Sequence, residues 1–320
     1  MPTLFLTRKN ILELLNMKEI INAVEQVFRD YAIGKAIMPA KAYLSLENGD
    51  LRAMPAATTG AAGMKWVNAH PRNPLKDLPT VMAVLIYNDP ATGYPLAVMD
   101  ATDITAFRTG ATAAIAAKYM ARADSTILGI VGAGRQAYTQ FIAHAELFDL
   151  KLVKVYDQSE VATRRFTDSF PQYNIQSTSL DEAVASDILC TLTPAQQPFV
   201  RREWVKAGTH INAVGADAPG KQELDPGILT DAMVVVDNLE QAITGGEINV
   251  PLKKELYSVD QVYATIDEVI TGKKSCREHP EAVTVFDSTG LAIEDIAVAK
   301  IVYEKASNLS GYVKLDFVEA

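Results

Sequence analysis

At 320 residues, 48% of them hydrophobic and 22% charged, the chain is long enough for two globular domains and has the composition of a soluble protein. A net charge of −9 argues against a phosphate backbone as partner, so no nucleic acid is expected. Two distant cysteines, Cys190 and Cys276, make no disulfide framework, and the scattered His70, His144, His210 and His279 make no metal-binding pair, so no metal is expected.

The first ten residues lack a charged region followed by a long apolar core, and Ala101–Ala123, the most apolar long stretch, carries Asp103, Arg108 and Lys118. Neither a leader nor a membrane span is therefore expected, and the setting is read as reducing and cytoplasmic.

In chain order, Asn16 followed by Glu19 predicts a helix start, and Ile20, Ile21, Val24, Val27, Phe28 and Tyr31 repeat at helical spacing up to Gly34. Asn48-Gly49 predicts a two-residue hairpin turn that pairs Ser45 with Arg52 and Tyr43 with Met54. Leu44, Leu46, Leu51 and Ala53 then share one face, with Lys41, Ser45 and Arg52 on the other. That polar face reads either as solvated or as a cationic wall for a carboxylate.

Gly63–Val67 predicts a strand with Lys65 among large apolar residues, a position from which most lysines reach water. Val81–Tyr87 and Tyr94–Met99 predict a second hairpin, and Thr102–Ala123 an alanine-rich helix. Arg108 stands in the early turns of that helix, against its dipole, and requires another partner.

From Ser125 the pattern changes. Strands at Ile127–Val131, Leu152–Tyr156, Ile188–Leu192, His210–Val214, Met233–Val236 and Val283–Phe286 alternate with helices, as in a doubly wound parallel sheet. The first strand runs into Gly132-Ala133-Gly134-Arg135-Gln136-Ala137, the order of a nucleotide-binding strand, glycine turn and helix. Domain limits are placed at 1–122 with 290–320, and at 123–289, the last amphipathic helix, Leu291–Lys305, returning to the first domain.

Asp157 ends the second strand about 25 residues beyond the glycine turn, where an acid accepts ribose hydroxyls and repels a 2′-phosphate. It reads either so, favouring NAD over NADP, or as a turn residue. Arg164 and Arg165 nearby leave NADP open. Turns at Thr191–Pro194, Val214–Asp217 and Asp287–Gly290 follow strands, at the rim where open α/β sheets bind ligands. Asp217 reads as a functional acid or as a turn former. No GxSxG elbow appears, and acid–base work falls to Lys65 and Asp217 by elimination.

The segments Lys65–Pro71, Tyr94–Asp100, Arg108-Thr109, Gly132–Gln136, His210–Asp217, Pro219–Lys221 and Phe286–Gly290 together resemble the ornithine cyclodeaminase/μ-crystallin family, over nearly the whole chain and in the same order. Within the family, Asp50–Pro55 is most similar to the archaeal alanine-dehydrogenase branch. The resemblance implies an NAD-binding Rossmann domain, a mixed α+β domain for substrate and dimerisation, and a homodimer.

It also implies Lys65 as acid/base and Asp217 as the second catalytic group. Arg108 would contact substrate carboxylate or cofactor. Thr80, Gly132, Gly134, Arg135, Gln136, Asp157, Gln158, Ser159, Thr193, Val214, Gly215, Ala216, Asp217, Lys221 and Ser288 would line NAD. One departure selects the substrate. Members acting on ornithine carry a glutamate thirteen residues before the lysine, where this chain has Arg52.

A cation there suits a small 2-amino or 2-oxo acid, with Arg52, Lys41, Arg108 and Thr289 around it. The expected reaction is L-alanine, NAD and water to pyruvate, ammonia and NADH. Cyclodeamination of ornithine or lysine and cyclic ketimine reduction are the alternatives within the family, and a non-catalytic cofactor- and ligand-binding protein is the alternative outside enzymology.

Overall fold

Residues 2–277 and 279–318 are described by a computed structural model, in which the chain folds as two units, the first running up to Arg108 and from Leu291 on, the second Thr109–Gly290. The N-terminal limit thus falls inside the helix Thr102–Met120, ahead of the position near 122 read from the sequence. Packing accounts for this: Ala117 lies in one core cluster with Leu128 and Ile130. Among the described residues no helix is long and apolar enough to cross a membrane.

The strands of the first unit are β1 (Thr3–Leu6), β2 (Ala42–Leu46), β3 (Gly49–Thr58), β4 (Ala61–Ala69), β5 (Val81–Asn88), β6 (Pro95–Asp100) and β15 (Val313–Leu315). They form one sheet in the order β15-β1-β6-β5-β4-β3-β2, parallel at β1–β6 and antiparallel elsewhere. The helix Ala292–Ser307 packs on β3 and β4 and against the helix Met17–Ala32, which Asn16 caps by accepting the Glu19 N–H. The sequence suggests one apolar stripe on Ala292–Ser307. Instead its buried residues run through consecutive positions from Ala292 to Ala299, so most of its circumference is enclosed.

The first hairpin keeps its faces and changes its register. Ser45 pairs with Asp50 and Tyr43 with Arg52, so Glu47 and Asn48 make the turn and Gly49 begins β3. A Cβ on Gly49 would meet the Ala69 carbonyl oxygen at 2.3 Å, so the glycine serves a close approach of β4. A shift of two residues leaves each side chain on its original face.

The second unit contains β7 (Ile127–Val131), β8 (Leu152–Tyr156), β9 (Ile175–Ser177), β10 (Ile188–Thr191), β11 (His210–Ala213), β12 (Met233–Val236), β13 (Val262–Thr265) and β14 (Thr284–Asp287). All pairings are parallel, in the order β13-β12-β14-β11-β10-β7-β8-β9. Buried clusters around Phe141 and Phe166 and around Ile211 and Val234 form its core. Between β7 and β10 the strand order reverses, which opens the crevice where such sheets bind ligands.

Close packing in the first unit depends on Gly63, where a Cβ would lie 2.3 Å from the Ile86 carbonyl oxygen and 3.0 Å from Ile296 Cδ1. Gly63→Ala is expected to cost about 1–3 kcal/mol, the range of overpacked cores. Urea unfolding checks this, and an unchanged midpoint would contradict it.

Candidate active site

Lys65 lies on β4 opposite Met54 and Leu85. Strand alternation turns it, with Val67, towards the side covered by the helix Ala292–Ser307, while Trp66 points the other way. With 1% of its surface exposed, Lys65 does not reach water.

Its Nζ is 2.6 Å from Asp295 Oδ2, and Arg108 donates from Nε to Asp295 Oδ1 at 3.0 Å and from Nη1 to Glu294 Oε2 at 2.8 Å. Glu294 Oε1 accepts the Leu291 N–H at 3.1 Å. These carboxylates are the partners that the placement of Arg108 required. Two cations and two carboxylates are therefore enclosed together, an arrangement in which losing one partner costs about 3–5 kcal/mol.

Burial is the largest influence on the Lys65 ammonium and lowers its pKa to about 7, with Arg108 and Lys41 adding to the fall and Asp295 opposing it. Burial also disfavours the Arg108 charge, but Asp295 and Glu294 outweigh it and the net shift is upward.

Arg52 shares this inner face. It pairs with Val67 two register positions from the Met54–Lys65 pair, hence on the same face, and is 6% exposed. Asp50 holds its guanidinium in a bidentate pair, Nε to Oδ1 at 2.7 Å and Nη2 to Oδ2 at 3.1 Å, and the Tyr43 ring lies 5.3 Å from it. Of the two readings of the hairpin's polar face, the solvated one therefore fails for Arg52. Thr80 is exposed beside β5, its carbonyl accepting the His70 N–H.

In the second unit, Gly132 has φ of 101°, and its amide donates to the Tyr156 carbonyl at 2.8 Å. A Cβ there would crowd Leu192 and Thr193 at 3.2 Å, whereas one on Gly134 would meet nothing within 4 Å. Gly134 caps the helix Arg135–Leu147 with no side-chain acceptor, and Arg135 and Gln136 are its first residues. An open glycine at an amide-bearing helix start fits a dinucleotide pyrophosphate. Asp157 accepts the Ala133 N–H at 2.7 Å and the Ser159 N–H at 2.8 Å, which fixes its carboxylate beside the glycine turn. Gln158 is exposed next to it.

The rim turns are latched by buried carboxylates that periodicity does not reveal. Glu223 Oε1 accepts the Thr193 N–H and hydroxyl, both at 2.7 Å, and Oε2 accepts the Gly215 N–H at 3.1 Å. Glu247 accepts the Glu223 and Leu224 N–H groups. Asp287 accepts those of Glu247 and Ile248, and Asp237 those of Thr289 and Gly290. Burial pushes the Glu223 and Glu247 carboxyls up, Glu247 further under the influence of Glu223.

This latching sets the backbone of Thr193, Val214, Gly215 and Ala216, and the positions of Ser288 and Thr289, whose hydroxyl also donates to Asp237 at 3.0 Å. Asp217 pairs with Lys221 at 2.5 Å. Lys65, Arg52, Lys41, Arg108 and Thr80 belong to the first unit, and all the other expected site residues belong to the second.

Sequence reasoning missed Glu223, Glu247, Asp237, Glu294 and Asp295 as site residues, and placed Asp287 only in a rim turn. A signal existed for Glu294 and Asp295: their neighbours three and four places along the helix, Leu291, Ala292, Ala297, Val298 and Ala299, are apolar. His144 and His210 are core residues joined through Asn212, and burial lowers their pKa values to about 4 and about 3. Among the described residues no group of three or more His, Cys, Asp or Glu is placed to hold a metal ion.

Glu223→Ala would strip two amides and a hydroxyl of their acceptor, at a cost of about 1–3 kcal/mol for a buried unpaired donor. A lower unfolding midpoint than that of Glu223→Gln, which keeps an acceptor oxygen, is the expected result. Equal midpoints would contradict the latch.

The model of the ornithine cyclodeaminase/mu-crystallin family matches residues 1–310. The chain is 54% identical over 319 residues to alanine dehydrogenase of Archaeoglobus fulgidus, covering 99% of both proteins. Among solved structures it is similar to an archaeal alanine dehydrogenase dimer with bound NAD, at TM-score 0.97 and 54% identity, covering 99% of this chain and 100% of that one. It is also similar to the Δ1-pyrroline-2-carboxylate reductase of Thermococcus litoralis in complex with NADH and L-proline, at TM-score 0.95 and 38% identity, covering 97% and 99%. The chain belongs to the ornithine cyclodeaminase/mu-crystallin family.

Proposed function

We propose that the chain is an NAD-dependent dehydrogenase that interconverts L-alanine with pyruvate and ammonia, and that it works as a homodimer. The observation that carries the chemistry is Lys65, a buried lysine poised near neutrality on the same sheet face as Arg52. Likeness along the whole chain to alanine dehydrogenases supports the substrate.

Bound NAD supplies the hydride acceptor in one direction and, reduced, the donor in the other. Gly132 and Gly134 admit its pyrophosphate at the start of the helix Arg135–Leu147, with Arg135 and Gln136 beside it. Asp157, with Gln158 and Ser159, takes the adenosine ribose. Thr193, Val214, Gly215, Ala216, Lys221 and Ser288 hold the remainder from the rim, and Thr80 is a further cofactor contact. The domain roles follow: the second unit binds cofactor, and the first binds substrate and makes the dimer.

Arg52 clamps the substrate carboxylate with support from Lys41, and Thr289 is a further substrate contact. Arg108 acts from a fixed position, since Asp295 and Glu294 hold its guanidinium. Lys65 takes a proton from the alanine ammonium, freeing the nitrogen lone pair that drives hydride from Cα and leaves an iminium. Asp217 orients water towards the iminium carbon and takes its proton. Asp217 passes that proton to solvent, and Lys65 returns a proton to nitrogen. The C–N bond then breaks as the hydroxyl gives its proton to Asp217 and its electron pair forms the carbonyl of pyruvate, releasing ammonia. A group with a pKa near working pH suits such exchange in both directions.

The second copy covers the outer face of the first unit's sheet, where Leu44 (52% exposed), Leu46 (45%) and Val84 (48%) stand with Trp66 and Ile86. Sedimentation is expected to give about twice the 34.8 kDa chain mass, and a monomer at micromolar concentration would contradict the dimer.

Wild-type protein should form NADH with L-alanine and consume it with pyruvate plus ammonia, and Lys65→Ala should lose about 10²–10⁴-fold of that activity. Turnover of ornithine, lysine or Δ1-pyrroline-2-carboxylate without alanine would overturn the substrate. Oxidation needs Lys65 unprotonated, so kcat/KM for alanine should rise with pH through about 7. Reduction needs it protonated, and its kcat/KM should fall through the same value. Profiles flat across that range would contradict the role of Lys65.

A further inference from the structure

We infer that Asp295 is the positioning residue of the reaction: its carboxylate fixes the Lys65 ammonium and sets the pH at which Lys65 exchanges its proton. This inference rests on Lys65 as the proton shuttle of the function proposed above.

The geometry divides the Asp295 carboxylate into two tasks. Oδ1 accepts from Arg108 Nε at 3.0 Å, and Oδ2 lies 2.6 Å from Lys65 Nζ with no other polar partner among the described residues. Both side chains of the ion pair are enclosed, at 1% exposure for Lys65 and 0% for Asp295. Asp295 sits in the first turn of the helix Ala292–Ser307, where the helix dipole favours a negative charge.

The charged groups acting on Lys65 come from three elements. Asp295 comes from Ala292–Ser307, Arg108 from Thr102–Met120, and Lys41 from the segment before β2. From the strands, its neighbours Met54, Leu85, Met64 and Trp66 carry no charge.

Two cations and the loss of water therefore drive the proton off Lys65, and Asp295 is the anion that opposes them. Without that anion, Lys65 would stay unprotonated to lower pH and be less able to return a proton to nitrogen near neutrality. Glu294 acts differently. Its carboxylate is committed to Arg108 through Oε2 and to the Leu291 amide through Oε1, so its removal should disturb Lys65 less.

The test begins with a readout that needs no turnover. In protein labelled with ¹³C at the lysine ε-carbon and free of cofactor, the Lys65 resonance is identified by its loss in Lys65→Arg and followed with pH. Wild type should titrate near 7. Asp295→Asn should titrate about one to three pH units lower, the usual effect of one close opposite charge, and Glu294→Gln should move less. The rise of kcat/KM for alanine oxidation should shift in Asp295→Asn by the same interval, whereas a purely structural role would lower activity without moving the profile.

An unmoved Lys65 titration in folded Asp295→Asn overturns the inference, as does a moved titration with an unmoved activity profile. If Asp295→Asn does not fold, Asp295→Glu displaces the carboxylate by one methylene and should also shift the resonance, and an unmoved one overturns the inference. A shifted titration in a protein that never oxidises alanine would support the positioning role and refute the function instead.

Discussion

The central constraint in the first unit is electrostatic: two cations, Lys65 and Arg108, are enclosed with two carboxylates, Glu294 and Asp295, away from water. Taking such charges out of solvent costs several kcal/mol each before their mutual attraction repays it. That cost is an odd one to bear for stability alone, since apolar residues of similar volume would fill the same space. Function gives it a reason. Burial, aided by Arg108 and Lys41, draws the Lys65 pKa down from 10.5 to about 7, and Asp295 keeps it from falling further. The surrounding sheet and helix serve this balance, with Gly63 allowing the helix Ala292–Ser307 to lie close on β4.

The second unit uses buried carboxylates for another purpose. Glu223, Glu247, Asp287 and Asp237 each accept main-chain N–H groups from a neighbouring turn, so the loops at the carboxyl edge of the sheet are pinned by side chains from other loops. Loops are ordinarily the least ordered parts of an α/β domain. Here the turns bearing Thr193, Gly215 and Thr289 are held by the chain's own carboxylates, which lowers the cost of ordering them on binding. Asp157 does the same for the glycine turn through the Ala133 amide.

Much of this was legible in the sequence because it follows from local chemistry. The strands β7, β8, β10, β11, β12 and β14 announced themselves as apolar runs, and the glycine turn by its position after β7. Arg108 was readable as a cation in need of partners because it opposes a helix dipole. The identity of those partners was not readable, since Glu294 and Asp295 lie nearly two hundred residues away. The burial of Lys65 was hidden likewise: a lysine in an apolar strand reaches water unless a helix covers that face, and the covering helix comes from the other end of the chain. The hairpin register failed for a local reason, because Gly49 looks like a turn residue but serves the approach of β4. The short strands β1, β9, β13 and β15 gave too few residues for alternation to register.

If the enclosed charges act as one unit, their energies cannot be additive. A double-mutant cycle on unfolding free energy with Lys65→Met and Asp295→Asn measures this directly. Lys65→Met takes from Asp295 one of its two cations, and Asp295→Asn takes from Lys65 its carboxylate partner. Each single variant should therefore lose stability, while the double variant should lose less than the sum, by a coupling of about 0.5–3 kcal/mol. Additive losses would show that Lys65 and Asp295 do not hold one another and would contradict the account.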